Sequence, residues 1–441
     1  MSKVLLIGRG PLPSPSLPQL GFSQLRTAAF YSALQDAGHA VRLVSLVSEI
    51  TTSPSPEWSG VVEVIEEGPR WLDDIRDAGS DAEIIVSAGP YNPGRAGAAI
   101  AGVRPFWADI PGDPLAELAA LSQVTPGGLS QLEIAAAHSA AVQVLSRADA
   151  ISVISTPQRH ATLGQLGLLG RTLQQDEAPP IFVLPITASF NLGRAAPRSP
   201  KPGHPLVLAL SGAFNPWVDD QEIASILEAV FARRSDLNVI CTGGGIEGFY
   251  EAGYERFKAF AAKHTDRIEL LGWLPHEDMA AALKTAHVGL SIDRPGPEPE
   301  LGSRTRLLLF AELGLMPITT VRCALTQAWA DAGALIELPF QDTQGAVDIL
   351  SSLHSDRTVT ANAQHQCQSL GVAAVTAPLT AWSQTPRRTA ESVQPAAALA
   401  AELDASRDAL NQLYSSPTWT ALNRLHTLGQ AAVSRLKVQS E

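Results

Sequence analysis

Cysteine is scarce in this chain: three among 441 residues, at positions 241, 323 and 367. An odd number at such wide spacing excludes a disulfide framework and any paired metal-ligand motif, so a reducing cytoplasm is the expected setting. Long apolar runs are also missing. No stretch approaches the ~18–20 consecutive apolar residues that span a membrane. The opening "KVLLIG" meets Gly8, Gly10 and Pro11 too soon to be the core of a signal peptide. Positive charge is in deficit, with 32 Lys plus Arg against 44 Asp plus Glu and a net charge of −12. A chain of that sign repels phosphate backbones as a whole, so nucleic acid is not an expected partner; a local basic pocket for a nucleotide remains compatible. The ten histidines form no pair at helical spacing, and no strand ends in an Asp-any-Asp pair, so no metal and no other cofactor is expected.

What is present is core material: 45% hydrophobic and 17% charged residues, over a length that calls for two domains and an appendage. Strand-like and helix-like segments alternate. "KVLLIG" at 3–8, a helix over 23–37 and "HAVRLVSL" at 39–46 make one strand-helix-strand unit. Further strands are predicted at 61–65, 83–87, 105–109, 150–155 and 179–186, with a helix over 130–146. Residues 191–205, "NLGRAAPRSPKPGHP", are rich in Pro, Gly and basic residues and read as a linker. The alternation then restarts, with strands at 206–211, 238–242, 268–271, 288–292 and 317–320, and helices over 219–234, 250–264, 276–286 and 303–313. The predicted fold class is α/β, two facing doubly wound domains (1–195 and 205–375) followed by a helical tail (376–441). In the tail, Trp419, Leu422, Leu425 and Leu428 fall on one helix face. That face suits either a membrane surface or partner protein, or packing on the chain's own first domain.

Two such domains leave a cleft at the carboxyl ends of their sheets, where open α/β folds bind ligands. Gly8-Arg9-Gly10 lacks the third glycine of a dinucleotide fingerprint, which argues against nicotinamide binding. The second half is more specific. In order it carries "LALSGAFNPWVD" (208–219), "VICTGGG" (239–245), "IELLGWLPHEDMAAALKTAHVGLSID" (268–293) and "PELGSRTRLLLFAELGLMPITT" (299–320). This series resembles the retaining GT-B glycosyltransferases, family 4 in particular, over most of residues 1–375.

The resemblance implies a metal-independent transfer of a sugar from a nucleoside-diphosphate sugar to a glycan, lipid or protein acceptor. Work would proceed in the cytoplasm or at the inner face of its membrane. It places the donor against Gly10, Gly212, Asn215, Gly243, Gly244, Trp273, Gly302, Ser303, Arg304 and Arg306. The glycines after strands let a ligand reach backbone or simply make tight turns. Trp273 is a stacking surface for the base or a core residue. The start of the 303–313 helix offers free N–H groups and partial positive charge to a diphosphate, with Arg304 and Arg306 beside it. Arg304 has a second reading, as a surface salt-bridge partner of Glu298 or Glu300. Glu300 stands for the first of the family's two spaced acids. On the acceptor side Asp109 is a candidate for orienting a sugar hydroxyl, while Asp113 caps a helix beginning at Pro114.

Two departures are evident. The Arg–Lys pair expected after the first strand of the second domain is replaced by Gly212-Ala213-Phe214-Asn215-Pro216-Trp217. The second acid, which would grip the ribose, falls on Leu309, with Glu312 one turn away. These losses favour, as the rival reading, a non-catalytic relative that partners an active transferase.

Overall fold

The computed structural model describes residues 1–14, 17, 21–48, 55–171, 178–187 and 194–389, with scattered positions between 404 and 422. Strands β1 (Lys3–Arg9), β2 (Ala40–Val47), β3 (Val62–Glu66), β4 (Ile84–Ala88), β5 (Phe106–Ile110), β6 (Ala150–Val153) and β7 (Ile181–Val183) form one parallel sheet, ordered 3-2-1-4-5-6-7. A second parallel sheet contains β8 (Leu206–Ser211), β9 (Leu237–Thr242), β10 (Ile268–Gly272), β11 (Val288–Ser291), β12 (Met316–Thr320) and β13 (Ile336–Leu338), ordered 10-9-8-11-12-13. Helices cover both faces, so central strands such as β4 (IIVSA) and β5 (FWADI) are buried at every position. In each sheet the order reverses beside the first strand, between β1 and β4 and between β8 and β11. Those reversals open the crevices in which such sheets bind ligands.

Local chemistry sets the helix starts. Asp113 accepts from the amides of Leu115 and Ala116, both at 2.9 Å. Ser130 and Glu133 form a reciprocal capping box at the head of the Gln131–Arg147 helix. Asp219 takes the Glu222 amide at the head of Asp220–Arg233.

Several features depart from the sequence reading. The strand expected over 179–186 shortens to Ile181–Val183. β13 was not anticipated, because "IEL" is three residues long and indistinct in periodicity. Helix Val372–Gln384 crosses the expected boundary at 375/376 and returns to the first half, packing on Phe22–Asp36. There Trp382 meets Trp107 edge-on at 5.4 Å, and Trp107 stacks on Phe182 at 5.1 Å. Ser383 lies 2.9 Å from the His39 ring, and Gln384 donates to the Ala37 carbonyl.

The described part of the linker is fastened to the second half. Ala195 donates to the Glu312 carbonyl, and Arg198 donates to that of Leu313. Across the seam, helix Pro297–Leu301 packs on helices Pro114–Val124 and Thr156–Leu168. Ser155 donates to the Leu301 carbonyl at 2.6 Å. Among the described residues no helix is long and apolar enough to cross a membrane. Most of the tail segment 413–437 lies outside the described residues. Within the rest, Leu413, Tyr414, Trp419 and Leu422 are exposed, while Asp404 accepts hydrogen bonds from Ser139 and Gln143.

Candidate functional site

Three adjacent strands of the second sheet, β8, β9 and β10, run into glycines of positive φ: Gly212 (88°), Gly243 (93°) and Gly272 (65°). Their backbones pack directly on one another. Gly243 donates to the Gly272 carbonyl at 2.7 Å, and Gly212 to the Thr242 carbonyl at 3.1 Å. A Cβ on Gly243 would stand 2.3 Å from the Gly212 oxygen, so this position is glycine for close approach as well as for φ. Above Gly212, by contrast, nothing lies within 4 Å of a Cβ, and the loop stays open to a ligand. Trp273 is half-buried, and its indole N–H donates to the Gly245 carbonyl at 3.0 Å beside Gly244. It ties down the Gly243–Gly245 loop. Asn215 sits in the turn after β8, its carbonyl taking the Val218 amide.

The stretch after β11 carries most of the charge. Arg304 is 3% exposed, with Nε on Asp293 at 2.7 Å and Nη2 on Glu298 at 3.0 Å. The sequence reading of Arg304 as an open diphosphate ligand is therefore corrected, and so is its alternative as a surface pair: Arg304 does meet Glu298, but inside the fold and together with Asp293. Gly302 lies against Glu298, where a Cβ would meet Oε1 at 2.5 Å, and the Ser303 carbonyl accepts from Arg304.

Arg306 is placed differently. It is half-buried and donates to the Ala213 carbonyl at 2.9 Å, next to Gly212. Among the described residues it forms no ion pair with a carboxylate. Burial, and then the neighbouring Arg304, push its pKa down to about 10. Its helix, Thr305–Glu312, begins with no side-chain cap and no acid in the first turn. Arg306, the open Gly212 loop and this helix start converge on the β8–β11 reversal, an arrangement able to take an anion.

Glu300 has a partner of its own: its carboxylate is exposed and pairs with Arg322. Leu309 is 7% exposed and packs in the core with Leu307, Leu308 and Phe310. Glu312 stands at the far end of the helix, beside Cys367.

In the first domain, Asp109 is corrected from a sugar-orienting group to an interior one. It is fully buried and gripped bidentately by Arg26 at 3.0 and 2.9 Å, with Ser152 donating at 2.5 Å. Gly10 directly follows β1 in the first domain, where a Cβ would stand 2.1 Å from Ser45 Oγ, so glycine serves close packing there.

The polar group that sequence reasoning missed on this side is Glu117. It lies in the first turn of helix Pro114–Val124 and folds back over Gly112 at the end of β5. Tyr91 donates its hydroxyl to it. Burial, with Glu298 and Asp113 nearby, raises its pKa to about 8 against the Tyr91 hydrogen bond. Its spacing four residues after Asp113 carried no signal beyond that of an ordinary acid in a first helical turn.

No protein-family model and no curated protein sequence matches the chain. Solved structures do. HepE of Anabaena, in complex with UDP and glucose, superposes with a TM-score of 0.64 at 13% identity, covering 87% of this chain and all of its own. Sucrose-phosphate synthase of Thermosynechococcus elongatus gives 0.61 at 16% identity, over 87% of this chain and 98% of its own. A putative UDP-N-acetylglucosamine 2-epimerase of Listeria monocytogenes gives 0.53 at 12% identity, over 87% and 96%. At these identities the likeness is one of architecture: the chain has the two-domain α/β GT-B fold.

Proposed function

We propose that this chain is a glycosyltransferase that moves a hexosyl group from a nucleoside-diphosphate sugar to an acceptor hydroxyl, with retention at the anomeric carbon. The observation that carries the reading is Arg306, a half-buried guanidinium with no carboxylate partner among the described residues, beside the open Gly212 loop and an uncapped helix start. As the sugar departs, negative charge grows on the leaving diphosphate. Fixed donors already aimed at that position stabilise it without reorganising. Arg306 and the first amides of Thr305–Glu312 supply them, in place of the missing Arg–Lys pair after β8. The Gly243–Gly245 loop and Trp273 form the base side of the same edge. The acceptor, a glycan, lipid or protein hydroxyl, arrives from the first domain, where Glu117 and Tyr91 stand. Nucleotide complexes of neighbours in fold, HepE with UDP and glucose among them, support a nucleotide-sugar donor. Three buried, unpaired cysteines fit a cytoplasmic location.

Calorimetry with UDP, GDP and ADP, followed by a donor screen with mass-spectrometric product detection, tests this. One nucleotide should bind. Arg306→Ala should weaken it by about 1–3 kcal/mol, the range for losing a hydrogen bond between charged groups, and EDTA should leave turnover unchanged. Normal binding by Arg306→Ala would remove the assignment. The exposed Glu300 and interior Asp109 favour a second reading, a non-catalytic partner of an active transferase. That reading predicts no turnover with any donor.

A further inference from the structure

Five of the large apolar side chains left exposed among the described residues fall within thirteen positions of the tail. They are Leu410, Leu413, Tyr414, Trp419 and Leu422, each between 36% and 54% exposed. Ser416 turns the chain in their midst. Its amide and its hydroxyl both donate to the Leu413 carbonyl, at 3.1 and 2.7 Å. Its Oγ accepts the Trp419 amide at 3.1 Å, with Pro417 opening the helical turn that follows. The Tyr414 and Trp419 rings meet edge-on across this corner, 5.2 Å between centroids. Just before it the tail is tied to the body. Asp404 accepts from Ser139 and Gln143 of the Gln131–Arg147 helix and pairs with Arg407 at 3.2 Å. From Leu410 to Leu422 every described residue except Ser416 is exposed.

A contiguous exposed apolar cluster marks an interaction surface, and the charge around it identifies the partner. The acids Glu402, Asp404 and Asp408 stop where the exposed row begins. Residues 409–440 hold none of the 44 acids but three bases, Arg424, Arg435 and Lys437. The chain's average of one acid in ten would place about three there. An acidic protein thus carries one stretch of inverted sign, next to its exposed leucines and aromatic pair. An anionic bilayer repels every carboxylate brought to it, so it calls for such a stretch; a protein surface of mixed charge does not. Tyr and Trp rings, apolar with a polar tip, suit the headgroup layer, and leucines suit the acyl boundary beneath it.

We infer that the corner at 410–422 binds the surface of an anionic lipid bilayer. Leu410, Leu413, Tyr414, Trp419 and Leu422 enter the headgroup layer, and the bases that follow in the sequence, Arg424, Arg435 and Lys437, meet its phosphates. The inference is independent of the glycosyl-transfer reading, because lipid binding is measured with no nucleotide present.

The test floats the full chain with vesicles of phosphatidylglycerol and phosphatidylcholine in about equal parts, and with phosphatidylcholine alone. The chain should rise with the anionic vesicles and bind the neutral ones at least about tenfold more weakly. Each base near such a surface contributes about fivefold, so Arg424→Gln, Arg435→Gln and Lys437→Gln combined should weaken anionic binding about a hundredfold. Trp419→Ser with Leu422→Ser should remove binding without moving the melting temperature, since both side chains are exposed. Val103→Ser with Leu168→Ser, equally exposed but in the first half of the chain, should change nothing. No flotation with anionic vesicles, equal flotation with neutral ones, or unchanged flotation of the Trp419/Leu422 variant would overturn the inference. So would light scattering that finds a wild-type dimer without lipid affinity and a monomeric Trp419/Leu422 variant, which would assign the corner to a second copy of the chain.

Discussion

Arg304 carries its charge inside the protein, between Asp293 at 2.7 Å and Glu298 at 3.0 Å. Desolvating a guanidinium is costly, and here two carboxylates more than offset it, holding the group far into its charged form. Removing one partner of such a set strands the others, which in buried pairs costs about 3–5 kcal/mol. Arg304→Ala should therefore lower the urea-unfolding free energy by that order, and an unfolding midpoint close to wild type would contradict the buried-pair account. The contrast with Arg306, two positions on, shows why residue type alone did not sort them. Both are arginines at one helix start, but Arg304 turns inward to acids from two segments, while Arg306 reaches the Ala213 carbonyl. At Leu309 the same inward turn of the helix settles the matter of the missing acid. The position faces the core, so a carboxylate there would be buried without a partner rather than offered to a ribose.

Elements were legible wherever their periodicity was long and uninterrupted, as in β1, the Gln131–Arg147 helix and β8. They were not where local signals pointed the wrong way. Helix Asn92–Ile100, absent from the sequence reading, contains Pro93, Gly94 and Gly97, residues of low helix propensity. Its glycines are there for contact: a Cβ at Gly97 would come within 2.3 Å of the Phe106 ring, so the helix trades propensity for a close seat on β5. Helix Val372–Gln384, with Pro378 inside it, reads as the start of a tail, yet it is a piece of the first domain's core. Val375, Leu379 and Trp382 are buried there, and burying side chains of this kind contributes about 1.5–3 kcal/mol each. A chain ended after Thr389 should melt within a few degrees of the full protein, because it keeps this helix and the Thr389–Asp149 contact. A chain ended at Gly371 should lose the cooperative melting of its first half. Equal thermal scans for the two would show the helix to be dispensable.

At the scale of the whole molecule, the two halves meet where helix Pro114–Val124 packs on helix Pro297–Leu301, and an acid stands on each side. Burial raises the carboxyl pKa of Glu117 to about 8, and Glu298 on the opposing helix adds to the shift. Burial also raises that of Glu298, against its pairing with Arg304. The unfolded chain releases the Glu117 proton near the ordinary value of 4.5, but the folded protein keeps it until about 8. Between those values the folded state binds the extra proton, so this group's contribution is complete below the lower value and is lost as pH rises through the window. Denaturant midpoints measured from pH 5 to 9 should fall with rising pH more steeply in the wild type than in Glu117→Gln. Parallel curves would mean that Glu117 is already ionised in the folded protein.

The sequence by itself determined the two-sheet α/β plan, the glycine turns after the strands of the second sheet, the helix start capped by Asp113 and the helix starts near 130 and 219. Each of these follows from neighbours within a few positions, through side-chain alternation, φ preference or a cap three residues away. Only the tertiary structure decided which charged groups are free to meet a ligand. Asp109 finds Arg26 across 83 positions, Arg304 gathers Asp293 and Glu298 from the far side of a loop, and Glu117 folds over Gly112 to face another domain. The pairing of a buried charge is set by which strands and helices come to lie together, and that information is not local to the residues that carry the charge.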